Sequence, residues 1–128
     1  MGESSTTLHE PAEDLPPETI DKHRAIVSIM EELEAVDWYD QRAKATKNEE
    51  LRAVLAHNRD EEKEHAAMGI EWLRRNDPKF DEELRTYLFT DGPITGVEEA
   101  ATNGDSGGAA APADGSLGIG SLKGMIAQ

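Results

Sequence analysis

The sequence predicts an all-α protein: an antiparallel two-helix hairpin plus a short third helix, completed to a four-helix bundle by dimerisation. Three observations carry this. Apolar residues recur at helical spacing through two long stretches, and no segment alternates apolar and polar residues as a half-buried strand does. The segment with this patterning, residues 18–90, is flanked by polar ends that lack it. A chain that short, with no cysteine to staple it, buries a marginal core on its own. A hairpin with one small appendage leaves part of its apolar stripe open, and a second copy would close it.

The first helix is placed at 18–45. Pro16-Pro17 suits a first helical turn, and Ile26, Ile29, Met30, Leu33 and Val36 follow at helical spacing. Thr46-Lys47-Asn48 breaks the pattern. The second helix, 49–75, opens on Glu49 and Glu50 and closes on Arg74 and Arg75, the charge order that the helix dipole favours. Asn76-Asp77-Pro78 stops it, and a shorter helix over roughly 79–89 carries Phe80, Leu84, Tyr87 and Leu88. The domain is therefore drawn at 18–91. Residues 1–17 read as a disordered N-terminal tail, and 92–115, which include NGDSGGAAAPADG, as a flexible linker.

Lys and Arg number 13 against 27 Asp and Glu, a net charge of −14. That sign argues against nucleic acid and against anionic membranes, both of which attract basic patches. More than half of it lies in the tails, since 18–90 holds 18 acids and 12 bases. The absence of cysteine excludes a disulfide scaffold, a thiolate metal site and a cysteine nucleophile. No run of 18 apolar residues is present, and MGESSTTLHE has neither the basic start nor the apolar stretch of a secretory signal. Cations, small molecules or another protein are the expected partners.

A single stripe down each long helix points to metal chemistry. Steps of three and four give Ala25, Ile29, Glu32, Val36, Tyr39 and Ala43 on the first helix. On the second they give Leu51, Leu55, Asn58, Glu62, His65, Gly69 and Trp72. Both apolar seams are interrupted at mid-height by groups that bind metals. Glu62 and His65 form a Glu-x-x-His motif whose i, i+3 spacing puts carboxylate and imidazole on one face. Glu32 lies 15 residues before Lys47 and Glu62 lies 15 after it, so each sits roughly 22 Å along its helix from the turn. The two carboxylates are thus expected to face each other across the hairpin. A di-iron carboxylate bundle uses one Glu from each of two helices and Glu-x-x-His from each of two others. One chain supplies half of that inventory, and two copies related by a two-fold axis supply the whole. Two carboxylates and one imidazole per metal suit iron better than a thiolate metal.

Other residues carry less. Tyr39 lies on the Glu32 stripe, where it could hydrogen-bond a metal ligand or fill the core, and Trp38 and Trp72 read as packing residues. Val27, Glu31, Glu34 and Trp38 share an adjacent face, and His57, Glu61 and Glu64 share a flank of the second helix. Both sets read first as solvated surface that could transiently hold cations. His9 and His23 have no carboxylate partner at a telling spacing.

Segment 20–92 resembles the encapsulated ferritins, on the stretches IVSIMEELEAVDWYDQRA, LAHNRDEEKEHAAMGIEWLRRND and LRTYLFTDGPIT, the last of which runs on to Thr95. GSLGIGSLKG, from Gly115, is similar to the targeting peptide by which such cargo is packed inside encapsulin shells, and 116–124 is assigned to it. The resemblance implies a ferritin-like fold and a ferroxidase that oxidises Fe(II) to Fe(III) with dioxygen at a di-iron centre between two subunits. It further implies a decameric ring of dimers and storage of the iron by the shell, in the cytoplasm. Glu32, Glu62 and His65 are its implied ligands, Tyr39 lies beside the centre, and Glu31 and Glu34 line an iron access route. Leu117, Ile119 and Leu122 would anchor the tail to the shell protein. The competing reading is a non-enzymatic helical cargo or scaffold protein with a cation-binding acidic surface; a di-iron enzyme acting on an organic substrate ranks last.

Overall fold

Pro16 and Pro17 start the first helix where a missing backbone N–H does no harm. In the computed structural model, which describes residues 7–104, α1 runs Pro17–Ala45 and α2 runs Glu49–Asn76. They are followed by α3, Pro78–Tyr87, and α4, Ile94–Gly104. A single 3-10 turn at Ala12–Asp14 precedes α1. The described residues contain no strand, and none of their helices is long and apolar enough to cross a membrane.

The connection between α1 and α2 is three residues long and closed by side chains. Asn48 caps α2 by accepting the Leu51 backbone N–H at 2.9 Å. Arg52 reaches back from the first turn of α2, donating from Nε to the Ala43 carbonyl at 2.9 Å and from Nη2 to the Thr46 carbonyl. It thereby satisfies acceptors that the end of α1 leaves without helical partners. From there the arms pair in antiparallel order. Arg59 Nη1 donates to Asp40 Oδ1 at 2.9 Å, His65 lies beside Glu32, and at the far end Lys22 lies 3.6 Å from Asp77. Asp77 also caps α3, accepting the Phe80 N–H at 3.0 Å.

Among the described residues three side chains are buried: Ala43, Ala66 and Leu73. Large apolar side chains stay open instead, Ile26, Met30 and Leu33 on α1 and Leu51, Val54, Met68 and Trp72 on α2. The expected hairpin is present, and its expected uncovered apolar faces with it.

The chain divides into two units, one ending at Asp81 and the other beginning at Glu82. The second holds the last turns of α3, the 88–93 connection and α4. Phe89 there has φ 64, in the left-handed region that a bulky residue rarely adopts, and is 74% exposed. The expected linker over 92–115 needs correction at its start, because 94–104 are helical. Pro93 leads in, and Val97, Glu98, Glu99, Ala100 and Ala101 include good helix formers. The glycines and prolines that mark a linker are concentrated further on. Likewise the expected N-terminal tail contributes the 3-10 turn and Pro17 to ordered structure.

Candidate metal centre

Glu32 comes from the middle of α1, and Glu62 and His65 come from the middle of α2, one helical turn apart. One ligand atom from each converges, all lying within 4.8 Å of one another. His65 Nδ1 is 3.2 Å from Glu62 Oε1 and 3.7 Å from Glu32 Oε1. Among the described residues no other group of three or more metal-ligating side chains meets this closely. The cluster is half-open: Glu62 keeps 24% of its side chain exposed, Glu32 30% and His65 41%. A cation can reach it, and a second molecule can close over it.

The three groups shift one another's titration. A hydrogen bond with Glu62 is the main cause that holds the Glu32 carboxyl above its ordinary value, with desolvation and the charge of Glu62 adding to it. Glu62 is lowered by the hydrogen bonds it makes with Glu32 and His65. His65 is raised, first by its hydrogen bond with Glu62. Two carboxyls and an imidazole in contact favour any added positive charge, whether proton or metal ion.

The other sequence candidates do not belong to this three-residue group. Tyr39 is half-buried on α1, and the Arg42 guanidinium lies 5.6 Å from its ring centre and 6.0 Å from that of Trp38. Glu31 and Glu34 are exposed on α1, with Glu31 adding its charge to those that raise Glu32. His57 Nε2 lies 3.6 Å from Glu61 on an exposed face of α2, and Glu64 is exposed further along it. Leu117, Ile119 and Leu122 fall outside the described residues.

Sequence reasoning missed one feature of the site's surroundings. A Cβ added at Gly69 would lie 2.6 Å from Ile29 Cγ1, so α1 and α2 approach closely one turn from the cluster. The signal was a glycine in a helix interior, a position where it is disfavoured by about 1 kcal/mol relative to alanine.

Comparison with known proteins extends the picture. Residues 7–91 match the EncFtn-like family. The chain is 65% identical over 133 residues to the encapsulated ferritin-like protein of Rhodospirillum rubrum, covering 99% of this chain and 95% of that one. It is 39% identical over 93 residues to the encapsulin nanocompartment cargo protein EncC of Myxococcus xanthus, 69% of this chain and 70% of that one. Among solved structures, the crystal structure of protein ne0167 from Nitrosomonas europaea is 64% identical with a TM-score of 0.66, covering 68% of this chain and 96% of that one. The match spans the whole hairpin that carries Glu32, Glu62 and His65, and the chain belongs to the EncFtn-like family.

Proposed function

We propose that this chain is a ferroxidase that works as cargo of an encapsulin compartment. It oxidises Fe(II) to Fe(III) with dioxygen at a di-iron centre completed between two subunits. The observation that carries the reading is the convergence of Glu32, Glu62 and His65, which amounts to half the donor set of a di-iron carboxylate bundle. The donor chemistry fits iron: two carboxylates and an imidazole, with no thiolate in the chain. Large apolar side chains left open on both arms support completion by a second copy. The relatives named as an encapsulated ferritin-like protein and as an encapsulin cargo protein support the setting.

In this reading the chain's own groups act as follows. The acidic surface, including Glu31 and Glu34, raises the local concentration of Fe(II). Glu32 and Glu62 hold the ion through carboxylate oxygens, with His65 as the nitrogen donor. Iron is the substrate, giving up one electron per ion to dioxygen, and the ferric product passes to the shell interior. The C-terminal segment 116–124 docks on the shell through Leu117, Ile119 and Leu122. The dimers assemble further, into a decameric ring.

Full-length protein mixed with Fe(II) without oxygen and then exposed to air tests the activity. Ferric absorbance should rise faster than in protein-free buffer, and the Glu62→Ala variant should lose the difference. A variant as fast as the wild type would refute the assignment. A helical cargo without enzymatic activity would package into the shell and show no acceleration at all.

A further inference from the structure

Ile29 and Gly69 sit at one level of the hairpin. Ile29 is three residues before Glu32 on α1, and Gly69 is four residues after His65 on α2. Each is therefore one turn from a candidate ligand and on the same side of its helix. Because the arms are antiparallel, both steps lead away from the connection and arrive together.

The contact there is tight. A Cβ at position 69 would lie 2.6 Å from Ile29 Cγ1 and 3.3 Å from Cδ1, whereas ordinary van der Waals contact begins at 3.4 Å. Cγ1 is attached directly to the branched Cβ of Ile29 and cannot swing aside as the end of a long side chain can. Any side chain at 69 therefore pushes the helices apart or turns Ile29 out of its rotamer. Toward the connection, beyond the cluster itself, Arg59 ties to Asp40 at 2.9 Å. Glu32 and His65 lie between that tie and the Ile29–Gly69 contact, so both ends of the interval are fixed.

We propose that Gly69, seated against Ile29, sets the separation of α1 and α2 at the candidate metal centre and is a positioning residue for Glu32 and His65. This rests on the reading of Glu32, Glu62 and His65 as ligands. The glycine is kept at the expense of helix propensity because only a bare Cα lets the arms approach closely enough for donors from both to share one ion. Metal affinity depends steeply on such placement, and loss of a group that merely orients ligands lowers it roughly tenfold to a hundredfold.

The test uses the full-length chain and Co(II) alone, which reports binding by its visible absorption without turnover. Gly69→Ala should weaken Co(II) binding roughly tenfold or more and alter the spectrum while helical content holds. Ile29→Ala, which removes Cγ1 and Cδ1, should weaken it as well by leaving the arms unspaced. Combining the two puts a methyl where the isoleucine was and should recover affinity beyond either single variant. If Gly69→Ala does not fold, Ile29→Ala with and without the added methyl still decides: higher affinity with the methyl supports the role, and equal affinity refutes it. Unchanged affinity and spectrum in a folded Gly69→Ala also overturn it, with the ligands untouched. A wild type that takes up no Co(II), or a Glu62→Ala variant that binds it equally well, overturns the ligand assignment itself and the spacing role with it.

Discussion

Glu32, Glu62 and His65 are expected to fail one at a time and completely. In the proposed two-fold site, replacing any of them by alanine removes two donors, so each variant should lose nearly all acceleration of Fe(II) oxidation. Glu31→Ala and Glu34→Ala, by contrast, should slow iron uptake at low Fe(II) and leave the rate at saturating iron intact. Stopped-flow absorbance across an iron series separates the two patterns. Glu71 gives a prediction of another kind. Arg74 donates to it from Nε and Nη2, each at 2.8 Å, and Arg75 from Nε at 2.6 Å. Hydrogen bonds first from Arg74 and then from Arg75 lower its pKa from 4.5 to about 2. The folded value lies below the unfolded one, so the contribution to stability is full above pH 4.5 and is lost as pH falls toward about 2. Urea midpoints measured across that window should fall less steeply for Glu71→Gln than for the wild type.

The elements themselves rest on short-range chemistry, and this is why most of them were legible in the sequence. Pro16-Pro17, Asn48 and Asp77-Pro78 mark helix ends by rules that act over a few residues, and α1 to α3 begin and end within two residues of the positions expected. Asn48→Ala should remove the cap seen at Leu51 and destabilise the hairpin by about 1 kcal/mol, read from thermal unfolding. The start of α4 was not legible because composition averaged over 92–115 is dominated by its glycine-rich end. The inward line of α2 was legible only in part. Leu55, Asn58, Glu62, His65 and Gly69 do lie half-buried, yet the buried positions are Ala66 and Leu73, each one residue beyond the predicted stripe. The small residues Ala66 and Gly69 let α1 settle between two stripes, and that rotation is decided by packing across the hairpin. The convergence of Glu32, Glu62 and His65 was legible because their spacing and their equal distance from the turn can be counted along the chain. The Arg52 clamp and the Ile29–Gly69 contact depend on interhelical separation, which cannot.

At the scale of the molecule, the open side chains of Ile26, Met30, Leu33, Leu51, Val54, Met68 and Trp72 call for a partner surface. Sedimentation should show self-association of the full chain that Leu33→Glu with Met68→Glu weakens. Fe(II) or Co(II) should strengthen it in the wild type, because a ion bound only by the associated state stabilises that state. A monomer with full ferroxidase rate would contradict the shared site. Deleting residues 115–128 should abolish co-purification with an encapsulin shell and leave oxidation in solution unchanged. Leu117 and Ile119 are two apart and would share one face if the segment docked in extended form, where Gly118 and Gly120 would allow close backbone approach to a wall. Several such tails on one assembly would act together, so each contact can be weak.

The three buried side chains of the hairpin carry a consequence for the lifetime of the protein. Opening a structure that keeps so little out of water takes little free energy, and a chain that opens often offers its backbone to proteases. If copies pair as proposed, a lone subunit should be digested by a protease faster than a paired one, a difference that limited proteolysis over a dilution series would read. Synthesis in excess of pairing would then correct itself, because surplus chains would be degraded first and the joined ones would persist.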